Sequence, residues 1–591
     1  MIIIGKKYLQ PLPVFLAIFF LIVQVVTNLL LPNLTSDIIN KGIAKSDLNY
    51  IWAQGGTMLI VALVSWLAAV LNVYYASIQS QRLGMRLRSD LFEKVIKMDE
   101  SAFSDFGDAT LITRTTNDVT QLQNVYQTAL RMMLMSPLML IGSIFMAWNL
   151  DHNLIWVFIV ALPLLAIVAV VNIAMVMPRF RLMQEKIDKI NLIFQQGLTG
   201  VRVIRAFNRD NYEIEKFDRA NKDLTKISQF VMATVAMLGP IMTVILSATN
   251  LAIVWFGAQL IGKGLMGLGN LVAFLTYATQ ILLSFMQLTA VMVMVPRAQV
   301  SAVRANEILN TEEKIVDPEN SESLSAPIEM KFIDVSYAFS NAERPALSRI
   351  NFTVTKGQTL AIIGGTGSGK STLLSLIARL MDVTSGEILI AGRDIRSLSQ
   401  YNLHEKISLT QQKAVLFSGT VKSNMLYGRP EATDAMIWTA LDIAQATDFV
   451  KEQGGLEMTV EQNGGNFSGG QRQRLAIART LIKDADYYCF DDSFSALDFA
   501  TDTKLRTAIN SSPQFQDKIK IIVAQRIATV MNADQILVLD KGEVVGLGDH
   551  ASLAKNCSAY QDIMRSQLSE KDLESMGISL KIEEVTEGDR S

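Results

Sequence analysis

Cysteine is nearly missing from this 591-residue sequence. Cys489 and Cys557 are the only two, and neither lies in a metal-ligand pattern, which argues against disulfides and a zinc site. Excess charge is missing as well: 54 Lys and Arg against 56 Asp and Glu leave a net charge of -2, so nothing marks a nucleic-acid partner. Charged residues make up only 19% of the chain and hydrophobic ones 50%, with a mean hydropathy of +0.27. A chain so composed lies partly in lipid, and at this length it holds more than one core.

The apolar excess sits in the first half. Residues 14–31, 56–75, 132–148, 154–176, 237–261 and 271–295 are each near or above the roughly 18 to 20 residues that cross a bilayer core. The run 132–148 is the shortest, and a re-entrant segment is the alternative there. An even count, however, returns the chain to the side on which it began. The first run is long for a signal peptide and lacks a small-residue cleavage site, so it reads as a retained helix. Lys6 and Lys7 before the first run, the basic stretch from Arg82 to Arg131, and that from Arg179 to Arg209 place two connections and both termini in the cytoplasm. Residues 80–98 and 183–226 keep helical periodicity with charged faces, so the membrane helices are expected to run on into the cytoplasm. Aromatic and polar residues at 103–107 and 206–213 interrupt that pattern and mark two tips able to dock on a soluble domain.

None of the six runs contains Asp, Glu, Lys, Arg or His. A proton relay is therefore not expected, and the energy should come from a nucleotide. Asn28, Asn72, Asn250, Gln280 and Gln287, with Met132, Met133, Met135, Met139, Met242, Phe285, Met286 and Met292, are candidates to line a cavity for varied apolar shapes. Lipid-facing or helix-packing roles are the alternative for each.

The nucleotide site is explicit. Gly364, Gly365, Thr366, Gly367, Ser368, Gly369, Lys370 and Ser371 follow a strand-like run at 359–363 and precede a helix-like one that opens with Thr372. Glycines let consecutive backbone N–H groups turn toward a phosphate, the helix N-terminus adds positive potential, Lys370 reaches the β- and γ-phosphates, and Ser371 can ligate Mg²⁺. Residues 310–327 read as a polar linker between a membrane domain at 1–309 and an α/β domain at 328–567; 568–591 is a polar, acidic tail. Within the α/β domain, Ser468, Gly469, Gly470 and Gln471 precede a helix expected at 475–482, which leads to a strand at 487–490 ending in Asp491 and Asp492. The first acid can hold Mg²⁺ and the second can face an attacking water.

P-loop, SGGQ stretch, paired acids and Ser495 to Asp498, in one chain after six membrane helices, resemble an ABC exporter half-transporter. The resemblance implies a six-helix transmembrane domain followed by a P-loop ATPase domain, binding ATP with Mg²⁺. It implies that Gln412 senses the metal, which Ser371 and Asp491 help to hold. Phe339 would stack on adenine, Thr372 would join the phosphate-binding set, and Asn117 to Val119 and the 205–217 stretch would form the cytoplasmic loops. The family acts as dimers, with each nucleotide held between one chain's P-loop and the other chain's signature.

Two departures from the family pattern matter most: Asp492 stands where glutamate is usual, and Gln525 where histidine is usual. Losing a methylene withdraws the carboxylate by about 1 Å, and errors of that size cost around a hundredfold in rate. Glutamine cannot become an imidazolium or relay a proton near neutral pH. The signature is intact apart from Phe467 in place of the usual leucine. The pattern is similar to the degenerate-site subunit of heterodimeric bacterial multidrug exporters. The expectation is therefore a subunit set in the lipid bilayer of a bacterial plasma membrane, which pairs with a second half-transporter and moves hydrophobic or amphiphilic small molecules (drugs) out of the cell. A homodimeric exporter or flippase of a defined lipid or peptide, and an ATP-binding regulator that carries nothing, are the alternatives.

Overall fold

The computed structural model of the protein describes residues 1–319, 328–339 and 342–568, excepting the side chains of 289–293. Parts of the expected linker and nearly all of the acidic tail lie outside these residues, as does the side chain of Met292. The chain divides into two units, one formed by Met1–Ile96 and Asp108–Thr311, the other by Lys97–Gly107 and Glu312–Ser591.

Lipid offers the backbone no hydrogen-bond partners, so apolar runs of this length close their bonds internally as helices. The first unit has six such helices: α1 (Pro11–Ile43), α2 (Leu48–Ile96), α3 (Asp108–Leu150), α4 (Trp156–Thr199), α5 (Asp210–Gly262) and α6 (Leu268–Leu309). Residues 132–148 lie within the continuous helical stretch of α3, so the re-entrant alternative does not hold. Helix α1 packs on α2, α4 on α5, and α3 and α1 on α6.

Most of the polar residues in these spans join helices. Asn72 is 3% exposed and donates to the carbonyls of Ala17 (2.8 Å) and Leu130 (3.3 Å). Ser65 donates to Asn28 (2.7 Å), Ser143 to Gln280 (3.1 Å) and Ser136 to Gln287 (3.4 Å). Met139 and Met242 are buried among apolar neighbours. Asn250 and Gln280 line an open membrane cavity of about 630 Å³ between α5 and α6, shared with Thr276 and Thr279. Asp118, expected in a loop, is buried within α3 and accepts from Ser301 Oγ of α6 at 2.7 Å.

The second unit takes in the first tip. Residues Glu100–Phe106 form a short helix ended by Gly107 at φ 73°, so the tip is helical rather than irregular. The segment after Thr311 is pinned to the same unit. Lys314 Nζ donates to Ser101 Oγ (3.0 Å), Arg379 Nη2 to the Val316 carbonyl (3.3 Å), and the Gln400 N–H to Asp317 Oδ1 (2.8 Å). The second tip belongs to the first unit, where Val201–Ala206 is a single helical turn followed by Asn208 at φ 53°.

Strands β1 (Glu329–Tyr337), β2 (Leu347–Thr355), β3 (Thr359–Gly364), β4 (Ser385–Ile390), β5 (Arg393–Asp394) and β6 (Ile407–Thr410) are followed by the short β7 (Gly419–Thr420) and β8 (Thr459–Val460). Then come β9 (Tyr487–Asp491), β10 (Ile519–Val523), β11 (Gln535–Asp540) and β12 (Glu543–Gly548). A six-stranded sheet in the order β12-β11-β3-β10-β9-β6 is parallel except for β12, and its strand β3 is buried along its whole length. A second, antiparallel sheet, β2-β1-β4-β5, shares an apolar core with β3, β9, β10 and the Lys370–Ile377 helix. Because β3, β10, β9 and β6 are parallel neighbours, the four segments leaving their carboxyl ends emerge side by side, where open α/β sheets bind ligands.

Candidate nucleotide-binding and catalytic site

The first of those segments is the P-loop. Its two ends leave no room for a side chain: a Cβ on Gly364 would lie 2.2 Å from the Leu539 carbonyl oxygen, and Gly369, at φ 99°, would meet Leu347 Cδ2 at 2.6 Å. Between them Gly365, Thr366, Gly367 and Ser368 make the turn, and Lys370 opens the helix. Lys370 folds back, donating to the carbonyls of Gly364 (2.8 Å) and Gly365 (2.7 Å). Burial holds its ammonium below the usual lysine range, partly offset by Asp492 and Asp491.

Asp491 ends β9, and its Oδ1 accepts from Ser371 Oγ at 3.3 Å. Burial raises its carboxyl above the usual range; the Ser371 bond opposes this, while the charges of Asp492 and Glu100 add to it. Hydroxyl and carboxylate oxygens are the donors a Mg²⁺ takes, and that ion commonly completes its shell with nucleotide phosphates and water. Ser371 and Asp491 fit it. Gln412 is exposed two residues after β6 and lies close enough to Asp492 for its amide to favour the ionised carboxylate.

Asp492 is 8% exposed and stands at φ 46°. Aspartate is among the few residues that enter this left-handed region readily. Its N–H donates to the Val523 carbonyl (3.0 Å), fixing the turn, and its Oδ2 accepts from Gln525 Nε2 at 2.9 Å. Burial pushes its carboxyl up, against hydrogen bonding from Ser495 and the charges of Lys370 and Arg526. The next switch residue, Arg526, donates to the carbonyls of Ser495 (3.0 Å) and Leu497 (3.4 Å). The structure thus brings Lys370, Ser371, Asp491, Asp492, Gln412 and Gln525 into one cluster.

Phe339 is 42% exposed, edge-on to Tyr337 with ring centroids 5.0 Å apart. With Ser371, Thr372 and Ser375 it lines a cavity of about 340 Å³, whose other side is formed by Glu100, Ser101, Ser104 and Asp105. The tip at 103–107, expected from sequence to dock on a soluble domain, thus belongs to the unit of the ATPase domain, beside this cavity.

Ser468 to Gln471 take no part in this cluster. The helix starts at Gly469, not at Leu475, because Ser468 caps it. Ser468 Oγ accepts from the Gln471 N–H (3.2 Å) and Gln471 Oε1 from the Ser468 N–H (2.9 Å), a reciprocal capping box. Phe467 is 4% exposed and packs edge-on to Phe449, so the departure from leucine is a change inside an apolar core.

Comparison with known proteins agrees with this architecture. Residues 14–285 match the ABC transporter transmembrane region and residues 347–495 the ABC transporter family. An uncharacterised ABC transporter ATP-binding protein of Mycobacterium tuberculosis is 38% identical over 569 residues, 95% of this chain and 97% of that one. An ATP-dependent lipid A-core flippase of Desulfotalea psychrophila is 29% identical over 94% of this chain and 97% of its own length. A multidrug efflux ATP-binding/permease protein of Mycobacterium bovis is 28% identical over 91% of this chain but 45% of its own. In fold, the chain is similar to a bacterial Atm1-family ABC exporter with ATP bound, at a TM-score of 0.76 and 22% identity, covering 94% of this chain and 98% of that one. With one membrane region, one ATPase domain and these relatives, the chain belongs to the ABC transporter family and has the architecture of a half-transporter.

Proposed function

We propose that this chain is one subunit of a heterodimeric exporter that moves hydrophobic or amphiphilic compounds out of a bacterial cell, with both termini on the cytoplasmic side. The observation that carries the reading is the contrast between Asp492, short and bound to a glutamine at 2.9 Å, and an intact Ser468 to Gln471 signature. Asp492 and Gln525 make a slow site at this chain's own P-loop, because the carboxylate falls short and the amide carries no proton at neutral pH. The signature serves a site whose P-loop, acid and switch belong to the partner. ATP binding closes the ATPase domains and turns the membrane helices outward; hydrolysis at the partner-dominated site resets them, while ATP held by Lys370 and Ser371 acts as a brace. When bound, Mg²⁺ neutralises phosphate charge, and Ser371, Asp491 and Gln412 are the residues to hold it. The multidrug efflux relative supports the substrate class, as do the neutral walls of the cavity between α5 and α6.

The test is ATP turnover by the purified chain alone and together with a second half-transporter encoded beside it. Negligible turnover alone and robust turnover together is the expected result. Robust turnover alone would overturn the heterodimer and favour a homodimer, for which stimulation by lipids rather than by apolar cationic dyes would indicate a flippase.

A further inference from the structure

The tripeptide Gln525, Arg526 and Ile527 is a junction. Gln525 bonds the acid Asp492 and Arg526 bonds the carbonyls of Ser495 and Leu497. A third tie comes from outside every motif. Gln567, the last residue of the Ser558–Gln567 helix, donates from Nε2 to the Gln525 carbonyl at 2.7 Å and accepts at Oε1 from the Ile527 N–H at 2.8 Å. One planar amide therefore bridges a carbonyl and an N–H two residues apart, each end meeting its complement.

We infer that Gln567 is a positioning residue for the switch, holding the backbone of residues 525–527 so that the Gln525 side chain stays on Asp492. The inference rests on the proposed role of Asp492 and Gln525 in ATP turnover. Its support is rigid. Tyr560 and Met564 of the same helix are fully buried in a cluster with Ala524, Ile527, Ile536 and Val538. The helix and both flanks of the switch thus share one core, and Gln567 lies one turn beyond Met564 at its rim. The hydrogen bonds of Gln567 go to the switch backbone, so it acts on the switch through residues 525 and 527. Because its side chain is exposed, replacing it removes two hydrogen bonds without opening a cavity.

Two variants grade the effect. Gln567→Met keeps the length and removes both bonds; Gln567→Glu keeps the acceptor for the Ile527 N–H and loses the donor to Gln525. In the full-length chain, alone and assembled with its partner, kcat and KM for ATP are measured together with amide hydrogen exchange over residues 524–530 and the melting temperature, and turnover at this chain's own site is read in a pair whose partner site is disabled. Gln567→Met is expected to lower turnover at this chain's own site by about threefold to tenfold, from two exposed hydrogen bonds. KM should stay within about twofold, exchange at Gln525 to Ile527 should quicken, and melting should be unchanged, with Gln567→Glu intermediate. Unchanged exchange in Gln567→Met overturns the clamp. Faster exchange with unchanged turnover overturns the positioning role while leaving the ATPase reading intact. If the wild-type chain shows no turnover in either setting, the exporter reading fails, and exchange alone then decides whether the clamp exists.

Discussion

Two faces of the ATPase unit carry family motifs, and they are built differently. On the P-loop face, Lys370 is folded onto its own loop, Ser371 is bonded to Asp491, and Gln525 to Asp492. Buried carboxyls of raised pKa sit within reach of one another. On the signature face, Ser468 and Gln471 bond each other at a helix start and present no departure in the residues that would meet a phosphate. By the resemblance, the first face departs at the acid and the switch and keeps the P-loop, while the second keeps Ser468 to Gln471 and departs only at Phe467 beside them. The P-loop, the acid and the switch leave the ends of different strands, β3, β9 and β10, so one can change while the others stay.

The strongest way to break that comparison is to damage each face in an assembled pair. Ser468→Arg is expected to cut total ATP turnover about a hundredfold, since it obstructs the site that works, whereas Asp492→Asn lowers it by less than about twofold. Equal losses would mean that both sites are alike. A sharper test restores the departures: Asp492→Glu with Gln525→His should raise turnover at this chain's own P-loop by about tenfold or more, read as hydrolysis when the partner's site is disabled. The gain stays below the full hundredfold because glutamate at φ 46° costs about 1 kcal/mol or more of backbone strain that aspartate largely avoids. The smallest effect is on stability without nucleotide. Burial raises the Asp492 carboxyl, so the folded state favours its protonated form; that contribution is fully present below the usual carboxylate range and is lost as pH rises through the raised value. Asp492→Asn should then melt about 1–2 °C higher at neutral pH, with the difference vanishing as pH falls toward 4.

Much of this was legible in advance, for reasons that differ by element. A run of about 20 apolar residues needs no partner to declare itself, so the six spans and the helical stretches that run on beyond them could be read directly. The P-loop and the acids ending β9 were legible because strand, turn and helix follow in one short stretch. The start of the signature helix was legible and missed: Ser468 and Gln471 have capping-box spacing, but the apolar run begins at Leu475 and drew the boundary there. Asp118 could not have been read correctly, since its partner Ser301 lies 183 residues away. Nor could the left-handed backbone of Asp492, which depends on a bond to the next strand, or Gln567, whose contacts on the switch span 40 and 42 residues. Polar residues in the spans misled in the same way. Asn72 alone does not reveal that its amide serves two carbonyls of other helices.

Helix α5 has 53 residues, about 80 Å of helix, of which a bilayer core covers only about 30 Å. Some 50 Å then stands clear as a rigid arm ending near the Val201–Ala206 turn, and a stroke of about 4 Å at that end is a rotation of only about 5° in lipid. Such an arm trades distance for force. A displacement at the free end would therefore reach the lipid-covered segment as a small change of tilt carrying a correspondingly larger force.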